Sequence, residues 1–331
     1  MKAIWYEKTG PAADVLRFGR QDAPVPAAGE VRVRLAASGV NPSDTKRRAG
    51  WIGLSMPHPR IIPHSDGAGT IDAVGKGVEG VDEARVGERV WLWNAQSGGR
   101  PFGTAAEYAA VPAAQAVPLP DGASFADGAG LGVPGCTAHY AVYGDGPVGG
   151  KRILVQGGAG AVGHLAVQLA TLGGAEVIAT VSSAAKAEVA LGGGARHAID
   201  YRREDVADRV LDLTDGAGVH RIIEVDLAAN LETDVAVLRE NGAIASYSST
   251  SGPELSLAYY PLAFKDLRIH FLQGYLLPSA ARRAAVRDLT TWLAAGQLEV
   301  RVAATFPLAE TASAHEALES GRADGKILVE I

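Results

Sequence analysis

Apolar and polar positions alternate along Lys2–Tyr6 and again along Val31–Ser38 (VRVRLAAS), the period of strands with one buried face. Between them Ala23–Gly29 (APVPAAG) is a proline-rich connector. Further short strands are predicted at Ala68–Val74 and Arg89–Trp93, separated by the turn-rich run Gly75–Glu88, and the same character continues from Thr104 to Pro120. Short strands at this spacing, with no helices between them, predict a small barrel. From Ser124 to Tyr143 the period turns helical. Beyond Lys151 strands and helices alternate, with strands at Arg152–Gln156, Glu176–Val181, His197–Tyr201, Arg221–Val225, Ala243–Tyr247 and Arg268–Gln273. Six strands with intervening helices predict a doubly wound parallel α/β sheet. After Ser279 come a helix (AARRAAVRDLTTWLAAG) and a closing strand (GKILVEI). The two ends of the chain are therefore expected to share one domain, 1–122 with 279–331, and 123–278 to form the parallel sheet inserted between them.

The inserted segment opens with RILVQGGAGAVGHLAVQLATL (Arg152–Leu172): an apolar strand, a glycine cluster, then apolar residues at helical spacing (Val162, Leu165, Ala166, Leu169). Gly158, Gly160 and Gly163 fit G-x-G-x-x-G, where glycine lets backbone N–H groups and a helix N-terminus approach a pyrophosphate. The flanking strand and helix raise the pattern above a plain packing turn, and a dinucleotide is the predicted ligand. An acid at the end of the second strand would meet a free ribose 2′-OH. Here that position reads Thr180, Val181, Ser182, Ser183, with Lys186 beyond and Tyr201 closing the third strand, which favours the 2′-phosphorylated cofactor.

Composition narrows the class. A chain of 331 residues, 47% hydrophobic, can bury two ordinary cores, and its net charge of −6 argues against a dedicated nucleic-acid binder. No apolar run reaches membrane-spanning length, and Met1–Ile4 leads into strand without a secretory pattern, so a cytoplasmic protein is expected. The lone Cys136, in an apolar setting, excludes a disulfide framework or cysteine-rich zinc lobe.

SGVNPSD (Ser38–Asp44), PHSDGAGTIDAVG (Pro63–Gly75), VGERV (Val86–Val90), GTAAEYAAVP (Gly103–Pro112), GVPGCTAHYAV (Gly132–Val142), QGGAGAVGHLAVQLA, GGARHAIDYRRED and RADGKILVEI together span nearly the whole chain. They resemble the medium-chain dehydrogenase/reductase superfamily, and within it the zeta-crystallin-like NADPH:quinone oxidoreductases. The resemblance implies a Rossmann domain plus a GroES-like β-barrel catalytic domain, and NADPH as cofactor. At the zinc-ligand positions of the related alcohol dehydrogenases stand Asn41 and Ser65, so a metal-free enzyme is expected. His64 beside Asp66 is weak evidence for a metal.

Carried over residue by residue, the resemblance makes Asn41, Asp44, Lys46 and Thr137 the catalytic candidates, with Asn41 an amide donor to an acceptor oxygen or, alternatively, a turn residue before Pro42. Gly158, Ala159, Gly160, Ala161, Val162 and Gly163 would hold the pyrophosphate. Ser182, Ser183, Lys186 and Tyr201 would take the adenosine end and Asn230 the ribose. Tyr247, Ser248, Ser249 and Thr250, with Leu272, Gln273 and Gly274, would flank the nicotinamide. Lys46 stands where relatives often carry an aromatic residue. Either it shifts acceptor preference, or it belongs with Arg47 and Arg48 to a solvated basic run. Trp51, Trp91 and Trp93 are candidates for an apolar pocket or for barrel core. Reduction of a quinone or of an enone fits the same cleft. A non-enzymatic crystallin-type or RNA-binding role is the alternative from another class. A homodimer, joined along the Arg268–Gln273 edge strand, is also implied.

Overall fold

The computed structural model describes residues 1–53, 55–76 and 85–331, so part of the expected turn at Gly75–Glu88 lies outside the described residues. In chain order the elements are β1 (Lys2–Trp5), α1 (Ala12–Val15), β2 (Arg17–Arg20), β3 (Glu30–Val40), α2 (Pro42–Ala49), β4 (Asp66–Val74), β5 (Arg89–Leu92), β6 (Tyr108–Pro112), β7 (Ala116–Pro118) and α3 (Phe125–Tyr143). There follow β8 (Arg152–Val155), α4 (Ala161–Leu172), β9 (Glu176–Val181), α5 (Ala184–Gly192), β10 (His197–Asp200), α6 (Val206–Leu213), β11 (Val219–Glu224), α7 (Leu227–Val237) and β12 (Leu238–Ser246). The chain closes with α8 (Tyr259–Ala263), β13 (Arg268–Phe271), α9 (Ser279–Ala294), β14 (Val302–Pro307), α10 (Thr311–Glu319) and β15 (Lys326–Glu330). Among the described residues no helix is long and apolar enough to cross a membrane.

Two compact units result: Met1–Val133 with Val286–Ile331, and Pro134–Ala285. The divisions fall inside α3 and α9, nine residues into the first and seven into the second, rather than at the helix starts as the 122/123 and 278/279 boundaries have it. The first unit holds the seven-stranded sheet β14-β15-β3-β4-β5-β7, with β6 also on β3. Strand β3 is long enough to carry two neighbours on one edge: β6 pairs with residues 30–34 and β15 with residues 37–40, while β4 lines the other side. Its alternation of buried and half-buried positions drives Val31, Val33 and Leu35 into a core with Ile71, Val90 and Leu92. Trp91 and Trp93 are buried, as interior packing requires.

The second unit is a six-stranded parallel sheet of order β10-β9-β8-β11-β12-β13. The order reverses between β8 and β11, the switch point beside which such sheets bind ligands at their carboxyl edge. The central strands carry buried apolar stretches, Ile153–Val155 in β8, Val177–Ala179 in β9 and Ile222–Ile223 in β11. All six strand expectations are met, with shifts of a residue or two at most ends and an earlier start for β12.

Candidate functional site

In the catalytic unit the site is built where β3 ends and β4 and β15 begin. Register places Gly39 opposite Asp66 and Val40 opposite Ile327, so Asn41, Asp66 and Lys326 meet at one end of the sheet. Asn41 Nδ2 donates to Asp66 Oδ2 at 2.7 Å, and Lys326 Nζ donates to Asn41 Oδ1 at 2.6 Å and to Asp66 Oδ2 at 3.0 Å. The other Asp66 oxygen accepts from the Val133 backbone N–H at 2.8 Å. Only glycine allows that approach, since a Cβ at Gly132 would lie 2.3 Å from Asp66 Oδ1. All three side chains are buried, and the charge pair is hydrogen-bonded to the Asn41 amide and to the Val133 N–H. Asn41 is therefore held in a polar knot, with a buried carboxylate and a buried ammonium each claiming one end of its amide.

Asn41 also caps α2, with Pro42 at the first helical position and the Asp44 carboxylate accepting the Asn41 backbone N–H at 2.8 Å. Burial pushes the Asp44 carboxyl up to about 7, with the nearby Asp66 charge adding to the effect and the Asn41 N–H opposing it. Lys46 is not simply solvated: its ammonium lies 4.4 Å from the centre of the half-exposed Trp51 ring. The basic run splits further at Arg48, which is buried, donates to the Gly10 carbonyl and pairs with Glu319.

His64 serves a second buried chain. Thr104 Oγ1 donates to the Asp66 carbonyl at 2.5 Å, so it must accept from Ser38 Oγ, 2.7 Å away. Ser38 in turn accepts from His64 Nδ1–H at 2.8 Å, which leaves His64 Nε2 to accept from His315 Nε2–H at 2.9 Å. Burial holds both imidazoles neutral, His64 well below its usual range and His315 down to about 3. Both His64 nitrogens are thus committed, and among the described residues no cluster of His, Cys, Asp or Glu could hold a metal ion. Neither Lys326 nor His315 is singled out by the sequence.

In the nucleotide unit β8 runs into Gln156 and Gly157, which turns through a positive φ of 71°, and Gly160 caps α4. The three motif glycines differ in what they meet. A Cβ at Gly158 would lie 2.6 Å from the Ala179 Cβ, and one at Gly163 would lie 2.1 Å from the Gly157 carbonyl oxygen. At Gly160 the nearest protein atom is 3.5 Å away, so the protein's own packing does not require glycine there. That is the cradle expected of a position reserved for a pyrophosphate. Ala161 and Val162 open α4 directly behind it, and Ala159 is buried beneath.

The adenosine candidates lie together: Tyr201 N–H donates to the Val181 carbonyl, bringing Tyr201 beside Ser182, Ser183 and Lys186 at the ends of β9 and β10. Ser183 is the N-cap of α5, accepting the Lys186 N–H, a structural duty the sequence reading did not give it. Tyr247–Thr250 and Leu272–Gly274 follow neighbouring strands at the same sheet edge, joined by the Leu272 N–H to Ser246 carbonyl bond. Within them Ser249 is engaged with the Gly252 carbonyl and the Ala228 N–H. Burial raises the Tyr247 hydroxyl, keeping it protonated. Asn230, expected on the ribose side, donates its amide to both Glu224 oxygens, at 3.0 and 3.3 Å, and so braces a buried carboxylate. Glu224 is itself raised by burial. Its neighbour Asp234 is raised further, by burial and by the Glu224 charge, and accepts from Gln156. Through Gln156 and Thr180 this pair reaches the Gly157 N–H, so the turn is held by a continuous hydrogen-bond chain. Thr137 is buried on α3 beside the fully buried Cys136.

Comparison with known proteins gives matches over most of the chain. Residues 27–121 match the alcohol dehydrogenase GroES-like domain, and residues 193–329 the family described as zinc-binding dehydrogenase. A probable quinone oxidoreductase of Schizosaccharomyces pombe is 30% identical across 98% of this chain and 96% of its own. A 2-haloacrylate reductase of Burkholderia sp is 31% identical across 99% and 98%. Among solved structures, the Escherichia coli quinone oxidoreductase complexed with NADPH superimposes with a TM-score of 0.86 at 27% identity, covering both chains fully.

Proposed function

Since the chain belongs to the medium-chain dehydrogenase/reductase superfamily, quinone oxidoreductase type, we propose that it is a metal-independent, NADPH-dependent reductase of quinones or related electron-poor acceptors. The observation that supports metal independence is Lys326. Its ammonium lies 2.6 Å from the Asn41 carbonyl oxygen and 3.0 Å from Asp66, a cation fixed among the residues that stand where the related alcohol dehydrogenases ligate zinc. An amide, an ammonium and a serine hydroxyl are a poor donor set for zinc, which takes thiolate, imidazole or carboxylate. No step of the reaction is therefore assigned to a metal.

The open space at Gly160 and the absence of an acid after β9 support NADPH, whose nicotinamide supplies a hydride when bound. The N-terminal N–H groups of α4 hold the pyrophosphate, and Ser182, Lys186 and Tyr201 take the 2′-phosphate end. Tyr247–Thr250 and Leu272–Gly274 hold the nicotinamide in place. On the acceptor side, Lys326 fixes the Asn41 amide with its NH₂ end toward Asp66 and one N–H uncommitted for an acceptor oxygen. Orientation then supplies much of the rate. We assign the protein to the cytoplasm and to a homodimer.

The test is steady-state NADPH oxidation after dialysis against a chelator. The expected result is turnover of 1,4-benzoquinone or 9,10-phenanthrenequinone, undiminished by dialysis and faster than with enones or 2-haloacrylate. Absence of turnover with any quinone refutes the acceptor class, and loss on chelation refutes metal independence.

A further inference from the structure

At the edge of the parallel sheet opposite the glycine turn, four consecutive strands each bring cationic or imidazole groups to their N-terminal ends. Lys151 precedes β8, His220 and Arg221 lie in β11, Arg239 in β12, and Arg268 starts β13. These residues, with Glu240, line a cavity of about 350 Å³. Four cations against one lining carboxylate stand out in a chain of net charge −6.

Part of the cluster has a structural duty. Arg221 donates to the Val142 carbonyl near the end of α3 and pairs with Asp145 at 3.4 Å. The rest is not accounted for in that way. Among the described residues neither Lys151 nor Arg268 has a carboxylate within ion-pair distance, and the Lys151 ammonium is lowered by burial and by the charges of Arg221 and Arg268.

His220 is the sharper observation. Its Nδ1 faces the Arg152 backbone N–H at 3.0 Å, and its Nε2 faces Arg239 Nη1 at 2.9 Å. Both neighbours are donors, and burial together with the Arg239 charge keeps the imidazole neutral. A neutral imidazole has one acceptor nitrogen and one N–H, so one contact sets donor against donor. With Nδ1 accepting from the backbone, the Nε2–H and the Arg239 Nη1–H face each other, a conflict that an acceptor oxygen bound beside them would relieve.

We propose that this cavity binds a small phosphate-bearing anion, held between His220 Nε2–H, Arg239, Arg268 and Lys151, at a site separate from the dinucleotide turn. Its volume suits a pyrophosphate or a compact phosphate ester. The planar guanidinium forks of Arg239 and Arg268 suit phosphate oxygens.

Calorimetric titration of the full chain with sodium pyrophosphate, at physiological salt and with NADPH saturating, tests this. Saturable binding of one equivalent per chain is expected. Arg239→Gln combined with Arg268→Gln, both exposed positions, should weaken it about tenfold or more while leaving NADPH affinity unchanged. Absence of saturable binding, equal binding by the double variant, or binding only when NADPH is left out would each overturn the proposal. So would retention of single-stranded RNA without pyrophosphate binding, which would make the patch a nucleic-acid surface.

Discussion

Lys326 joins three elements of the catalytic unit with one side chain. It ties the N-cap of α2 to the first residue of β4, with its charge opposed by Asp66 and its remaining reach spent on Asn41. Removing one partner of a buried ion pair leaves the other charge in a low-dielectric interior, a loss of roughly 3–5 kcal/mol. Lys326→Met should therefore lower the urea unfolding free energy by about that amount, and adding Asp66→Asn should restore a substantial part by removing the stranded carboxylate. If Lys326→Met unfolds at the wild-type urea concentration, the knot is not what holds these three elements together. This residue escaped the sequence because its partners Asn41 and Asp66 are 285 and 260 positions away. His315, 251 positions from His64, escaped for the same reason: spacing reports only neighbours along one element.

At the scale of elements, the motif glycines are not equivalent, and the difference can be measured. Gly163→Ala puts a Cβ against the Gly157 carbonyl, backbone against backbone, where neither side can yield, so the melting temperature should fall. Gly160→Ala meets nothing of the protein closer than 3.5 Å and should melt with the wild type, yet its methyl stands where the pyrophosphate must come, weakening NADPH about tenfold or more. A Gly160→Ala protein that binds NADPH normally would remove the turn from the cofactor site. The turn and its sheet were legible because the strands carry apolar stretches at regular spacing between helices, and a strand, glycine cluster, helix order has few other uses. Other elements went unread. Strands β2 and β14 bury little and lack alternation, while α2 is short and polar, although Asn41, Pro42 and Asp44 spell out its capping box.

For the molecule as a whole, what remains unexplained by a single chain is the outer edge of β13. Its counterpart β10 is four residues long and flanked by Arg196, Arg202 and Arg203, charges of the kind that discourage pairing. Strand β13 has the opposite surroundings: Tyr259 (73% exposed), Tyr260 (65%), Phe264 (79%) and Phe271 (63%) bring four aromatic rings to solvent in and just before it. A chain of net charge −6 repels its copies at long range, so association has to come from apolar area and main-chain pairing. Two copies related by a twofold axis can pair β13 antiparallel with β13, which removes the open edge from both sheets at once and covers the same rings. Light scattering of the eluting protein should give twice the chain mass at micromolar concentration. Phe264→Glu with Phe271→Glu, which places four carboxylates across the twofold, should give the single-chain mass with NADPH binding retained. A wild-type monomer, or a double variant still at twice the mass, would mean that this edge is not where the copies meet.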